Sequence, residues 1–150
     1  MKWNIGSCDR HFPGFLNIDI APPADLIADL TKRWPADDST VEHIRALDII
    51  EHLPDKIHTL NEAWRVLVPG GRLEIEVPTT DGHGWAQDPT HVSYWNRNSF
   101  FYFTAGDPHR ERFGAHYGVV ARFKVISDSQ TRYPDQVVKL FILLEAVKPQ

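Results

Sequence analysis

Between Asp48 and Pro78 the sequence changes period, and that change limits the fold more than any other feature. Ile57, Leu60, Trp64 and Leu67 are spaced three, four and three apart, one face of a 3.6-residue repeat, which predicts an amphipathic helix. Pro54 suits its first turn, where the missing N–H would have no partner. Pro69-Gly70-Gly71 marks its end, because proline cannot continue a helix and glycine accepts the left-handed conformation of a cap. Leu73, Ile75 and Val77 then alternate with Arg72, Glu74 and Glu76, the period of two that predicts a strand. A strand directly after a helix is half of a βαβ unit.

The rest of the chain supplies further strands. Trp3–Ile5 reads as a first strand ending at Gly6, and Phe15–Ile20 as a second with Asp19 near its end. Ala21-Pro22-Pro23 closes that strand, since two prolines cannot donate to a ladder. Asp25–Asp29 is a candidate third strand, and the apolar run Val41–Leu47 a fourth that leads into Asp48. Thr79–Ser93 and Gly106–Gly118 read as long polar loops. Between them, Asn98 or Ser99 could cap a short helix through Phe103. Val119–Ser127 and Gln136–Val147 predict a terminal antiparallel hairpin. Strands with a helical crossover indicate an open α/β sheet: doubly wound, mostly parallel, of about seven strands, with an antiparallel C-terminal hairpin and few helices. In such sheets ligands bind outside the carboxyl ends of the strands. Gly6, Asp19, Asp29, Leu47-Asp48 and the segment after Pro78 all fall at those ends.

Composition narrows the function classes. A chain of 150 residues has the length of one domain, taken here as residues 1–150. Net charge is −4, with both signs interspersed, which argues against a dedicated nucleic-acid binder. The one cysteine, Cys8, excludes an internal disulfide and a paired-cysteine metal site. The N-terminus starts in strand-like sequence without a signal-peptide core, and Val137–Val147 is too short and too charged to span a bilayer, so a cytoplasmic protein is expected.

Several stretches taken together resemble a known family. Asn4-Ile5-Gly6-Ser7-Cys8, Pro13–Ile20, Ala28-Asp29-Leu30, Ile49-Ile50-Glu51-His52-Leu53, Glu62–Leu73 and Asp88-Pro89-Thr90-His91 are similar to small class I S-adenosylmethionine-dependent methyltransferases, in the family's order. Arg65-Val66-Leu67-Val68-Pro69-Gly70-Gly71 before a strand is the most specific part. The resemblance implies S-adenosylmethionine as cofactor and methyl transfer to an acceptor, small or macromolecular, that the sequence does not name. Gly6 and Ser7 would pass the methionine part, where only a residue without a side chain lets backbone approach closely. Asp19, with Ile20 beside it, would accept from the ribose hydroxyls. Asp29 and Leu30 would meet the adenine, and Leu47 and Asp48 would lie beside the methyl group. Candidates for a general base are Asp48, His52 and His91.

Each candidate has a plainer reading. Asp19 and Asp29 could be a solvated strand end and a turn residue. Cys8 is expected to be a small buried residue, His52 to make a structural hydrogen bond, and Glu51 to complement a helix dipole. His83, Asp88 and His91 lack a fixed ligand spacing, and no metal site is assigned. Most of the aromatics from Trp85 to Phe103 are expected in the core. The first turn reads Gly-Ser-Cys where the family usually carries a glycine third. Gly6 to Gly14 is also too short for a helical crossover. This shortened first βα unit favours an alternative: a non-catalytic or degenerate binding or scaffolding module on the same fold, with weak or no cofactor binding and a homodimer as its candidate assembly.

Overall fold

A computed structural model describes residues 1–149. Seven strands form one sheet: β1 (Lys2–Ile5), β2 (Leu16–Asp19), β3 (Leu26–Ile27), β4 (Val41–Leu47), β5 (Leu67–Pro78), β6 (Phe123–Arg132) and β7 (Val138–Ala146). Their spatial order is β3-β2-β1-β4-β5-β7-β6. Pairings from β3 to β5 are parallel, whereas β7 runs antiparallel to both β5 and β6. The mostly parallel sheet with an antiparallel C-terminal hairpin is therefore as the sequence predicts. All the parallel strands end at one edge.

The crossover from β4 to β5 is helix α1 (Lys56–Val66), capped by the Asp55 side chain, which accepts from the His58 N–H. Pro54 therefore precedes the cap and lies outside the first turn. Leu60, Ala63 and Val66 are buried on the sheet, and Ile57 and Trp64 pack at the margin of that face. The helix also stops earlier than the proline–glycine signal suggests. Leu67 is already extended and pairs with Val41, and His43 then pairs with Arg72. Val68–Gly71 is thus spare chain within β5, accommodated as a bulge with Gly70 at φ 77°. Beyond it Leu73, Ile75 and Val77 are buried, as their alternation predicts.

No helix joins β1 to β2. Two buried asparagines hold the short connection instead. Asn4 Nδ2 donates to the Arg10 carbonyl and to Asn17 Oδ1, and Asn17 Oδ1 also accepts from the Phe12 N–H. Asn17 in turn donates to Asp25 through both its side chain and its backbone. Loop carbonyls and amides that a helix would have satisfied internally are satisfied by side chains on the strands.

The segment from Leu30 to Thr40 is polar in sequence yet anchored by Trp34, which is 1% exposed, packs against Trp3 and donates from its indole to the Leu30 carbonyl. Arg65 on α1 fastens the same segment through the Trp34 and Ala36 carbonyls and Asp38, while pairing with Glu62 at 2.7 Å. This fixes the chain just beyond β3, where Asp29 and Leu30 lie.

The second predicted loop is largely helical. Helix α3 spans Pro108–Tyr117, with Asp107 as N-cap and Gly118 as left-handed C-cap; a helical turn, α2, spans Gly84–Gln87. Only Gly114 of α3 is buried, so the helix carries no apolar stripe. A 3₁₀ segment, Arg97–Phe103, is capped by Asn96 with Ser99 reciprocating, two or three residues before the expected cap. Trp95, Phe100 and Phe103 join the core, but Tyr94 is 53% exposed. No described helix is long and apolar enough to cross a membrane.

Candidate active site

Two cavities open along the carboxyl edge of the sheet. The smaller, of about 160 Å³, lies outside β1, β2 and β3 and is lined by Gly6, Asp19, Ile20, Asp29, Leu30 and Ile49, among others. The larger, of about 670 Å³, lies outside β4, β5 and the start of β7 and includes Asp48, Glu51, Asp88, His91 and Lys139 in its lining. His52 lines both. Five of the seven residues expected on the cofactor side thus share one cavity, and the three expected beside the acceptor share the other. Ser7 and Leu47 line neither; Leu47 closes β4 half-buried.

On the smaller side, Gly6 turns the chain at φ 64°. A Cβ there would sit 2.6 Å from Ile49, whose side chain packs over the turn. Ser7 is buried with its hydroxyl unpartnered. Asp19 Oδ2 accepts from the Cys8 N–H at 2.8 Å and Oδ1 from the Ala21 N–H at 3.2 Å. Carboxylate oxygens have about four acceptor sites, so Asp19 organises this turn and still has lone pairs for hydroxyl donors. Cys8 itself is exposed at φ 47°, contrary to its expected burial, because Asp19 draws its N–H inward and turns the thiol out. Asp29 Oδ1 accepts from the N–H and hydroxyl of Thr31, which holds its carboxyl below the usual range. The aspartates therefore form turns, as their plainer reading expects, and also line the cavity.

The larger cleft is more strongly organised. Asp48, at φ 55°, is half-buried and pairs with Lys139 at 2.8 Å, with Arg10 at 3.8 Å. Glu76 lies 3.5 Å from the same lysine. Burial lowers the Lys139 pKa, but the bond and charge of Asp48, aided by Glu76, outweigh it, and the net shift is upward. Asp48 thus holds the Lys139 ammonium in place against the cleft.

Glu51 is the residue whose place the sequence does not reveal. It sits within a 3₁₀ turn, Ile50–His52, rather than at a helix start, and is 2% exposed. Burial pushes its carboxyl up to about 8, with Asp48 and Asp88 adding to the effect against a backbone hydrogen bond and Lys139. It is therefore mostly neutral at pH 7, and does not act as a dipole-complementing charge. Its carbonyl accepts from the N–H groups of Val92 and Ser93, and Ser93 Oγ donates to the Ile50 carbonyl. Those bonds bring His91 to His52, ring centroids 4.8 Å apart and edge to face. The signal for burial comes from a segment some forty residues away, so no local pattern carries it.

Sheet order 3-2-1-4-5-7-6 with one reversed strand, and a ligand edge outside β1 to β4, define the class I S-adenosylmethionine-dependent methyltransferase fold. Residues 16–75 match the family model described as methyltransferase domain. Among solved structures, an S-adenosylmethionine-dependent methyltransferase from Methanosarcina mazei is 13% identical at TM-score 0.64, covering 99% of this chain and 92% of that one. The Burkholderia thailandensis 1,6-didemethyltoxoflavin-N1-methyltransferase, solved with its namesake and S-adenosylhomocysteine bound, is 11% identical at TM-score 0.65, covering 98% and 71%. The cyclase SpnF is 11% identical at TM-score 0.67, covering 99% and 75%. No curated protein matches the chain. Residues 16–75 thus match a methyltransferase-domain model, and nearly the whole chain shares the fold of these methyltransferase structures.

Proposed function

We propose that this chain is a cytoplasmic S-adenosylmethionine-dependent methyltransferase whose acceptor occupies the larger cleft. The observation that carries it is the pair of cavities on the ligand edge, meeting at His52. The residues fit the cofactor in part. Gly6 lines the cavity at a turn that Ile49 packs over, the buried Ser7 hydroxyl is unpartnered, and Asp19 retains acceptor capacity for ribose hydroxyls. Asp29 and Leu30 supply an acceptor and an apolar cover for adenine, while Ile20 walls the same cavity and Leu47 backs the end of β4. Bound there, the cofactor would supply a methyl group activated by its sulfonium, open to in-line attack by an acceptor lone pair with S-adenosylhomocysteine as the leaving group.

The chain's own contribution is chiefly to hold the acceptor, and positioning alone is worth about 7–11 kcal/mol for well-oriented reactants. Lys139, locked by Asp48 and Glu76, sets the charge of one wall. Where the acceptor must lose a proton, His52 and His91 stand in the cleft as the candidate bases. Asp48 keeps Lys139 in place.

A second reading has its own observation. At about 160 Å³ the cofactor-side cavity falls below the ~300–1,000 Å³ of most ligand pockets, and Ile49 covers Gly6. A non-catalytic domain that binds the cofactor weakly fits these facts too. Calorimetric titration with S-adenosylhomocysteine separates the two, and saturable binding is expected. Asp19→Asn keeps an acceptor for the Cys8 N–H and loses the charge. It should weaken binding by about ten- to a hundredfold, the worth of charge-assisted hydrogen bonds. No binding by the wild type at millimolar ligand would establish the non-catalytic reading, and unchanged affinity in Asp19→Asn would overturn the ribose role.

A further inference from the structure

Glu51, His52 and His91 meet in the floor of the larger cleft, one ligand atom from each lying within 4.8 Å of the others. We propose that these three side chains bind a divalent first-row transition-metal ion, zinc or manganese being the best suited. Three features beyond their proximity point to a ligand. Glu51 is 2% exposed, and its Oε1 is buried without any hydrogen-bond partner. Buried polar atoms are nearly always satisfied, and an orphan usually marks a missing ligand, ion or water.

The histidines are also prepared. His91 Nδ1 lies 3.3 Å from the Trp85 carbonyl, which can only accept, so Nδ1 carries the proton and Nε2 keeps its lone pair. His52 Nδ1 lies 3.1 Å from the Thr90 hydroxyl. That hydroxyl donates to Asp88 at 2.7 Å, so it accepts from His52, again leaving Nε2 unprotonated. Metal-binding histidines characteristically donate their other ring N–H to a carbonyl or carboxylate-linked group, which fixes tautomer and orientation. Here both do.

The third feature is the rigidity of the frame. Glu51 and His52 stand in one 3₁₀ turn, and the backbone bonds from Val92 and Ser93 to the Glu51 carbonyl clamp the His91 segment against it. One carboxylate and two imidazoles form a three-ligand set that leaves a coordination position open to the cleft. The mixed nitrogen and oxygen donors favour zinc, manganese, cobalt or iron over magnesium and calcium. Asp48 and Asp88 add negative charge nearby, Asp88 Oδ2 lying 3.6 Å from His91 Nε2; Lys139 opposes them but is paired with Asp48. The metal reading does not depend on the methyl-transfer reading, although it draws on His52 and His91, the base candidates of the same cleft. Where that reading also holds, the ion would grip an acceptor oxygen and ease loss of its proton.

The test uses the intact chain, stripped with a chelator and dialysed, with no cofactor present. Zinc chloride and manganese chloride are titrated in separately by calorimetry, and thermal unfolding is recorded with and without each metal. One ion per chain, micromolar or tighter affinity for at least one metal, and a higher midpoint with that metal are expected. Glu51→Gln and His91→Gln, checked for native circular dichroism, should each abolish or severely weaken binding. Thr90→Val, which removes only the partner of His52 Nδ1, should weaken it by about ten- to a hundredfold. His116→Gln, on the outer face of α3, should bind as the wild type does. Failure of the wild type to bind either metal saturably would overturn the proposal, as would binding that survives both Glu51→Gln and His91→Gln. If those two variants misfold, unchanged affinity in Thr90→Val would still refute the assigned geometry. Loss of metal binding leaves S-adenosylhomocysteine binding at the other cavity measurable, so the two readings fail separately.

Discussion

Replacing Gly6 by alanine tests the turn that borders the smaller cavity. Gly6 stands at φ 64°, a conformation that costs an L-residue about 1–2 kcal/mol. Its new Cβ would lie 2.6 Å from Cβ and Cγ1 of Ile49 and 2.8 Å from Cδ1, well inside contact distance. Cβ of Ile49 is fixed to the backbone, so rotation of the side chain cannot clear it and the turn after β4 must shift; overpacking of this kind costs about 1–3 kcal/mol. The sum, roughly 2–5 kcal/mol, is a large part of the 5–15 kcal/mol typical of a domain. Urea unfolding followed by tryptophan fluorescence reads it directly, because Trp3, Trp34 and Trp95 are buried. A cycle with Ile49→Gly separates the terms: the steric part should be recovered in the double variant, while the backbone part persists. A Gly6→Ala variant within about 0.5 kcal/mol of wild type, or a cycle with no coupling between the positions, would refute the reasoning.

The other predictions concern the two buried polar centres. Glu51, with its carboxyl raised from 4.5 to about 8, binds a proton more tightly folded than unfolded. The contribution is intact below 4.5 and is lost as pH rises toward 8, at about 1.4 kcal/mol per pH unit, or roughly 4 kcal/mol in all. Chelated wild type should therefore lose stability relative to Glu51→Gln between pH 5 and pH 8, and a constant difference across urea series at those pH values would contradict the buried carboxyl. Asn17→Ala strands the Phe12 N–H, Asn4 and Asp25 together and should cost about 2–4 kcal/mol. Amides of the β1–β2 connection should then exchange faster than those of α1, as hydrogen exchange can show; uniform protection would mean that the asparagines do not hold the loop.

Where sequence and structure agree, the reason is local. Val41–Leu47 and Leu73–Val77 alternate against a core that lies beside them, and each strand is recovered with its register face. The strand-end aspartates follow from the parallel sheet itself, since every parallel strand must finish at the same edge. Helix α3 fails to show for the opposite reason: its outward faces are polar, and it rests on capping by Asp107 and Gly118 rather than on a buried stripe. Those caps are visible in the sequence and outweigh the missing periodicity. Pro69-Gly70-Gly71 misleads because the same residues that end a helix also make a bulge.

The site divides along the same line. Gly6, Asp19 and Asp29 lie at the ends of local patterns, so their shared cavity is predictable from topology. Glu51 and His91 are joined only by the Val92 and Ser93 amides folding back onto the Glu51 carbonyl, and neither flank announces that contact. The two halves also differ in kind. The smaller cavity rests on turns that Asp19 and Ile49 hold, whereas the larger cleft is lined by charged side chains braced against one another. Within the larger cleft, Glu51 Oε1 is buried without a partner beside two imidazoles that are each engaged at Nδ1, and a buried polar atom left unpartnered is costly, so a ligand or ion that reaches this carboxyl would relieve a strain that the rest of the fold does not.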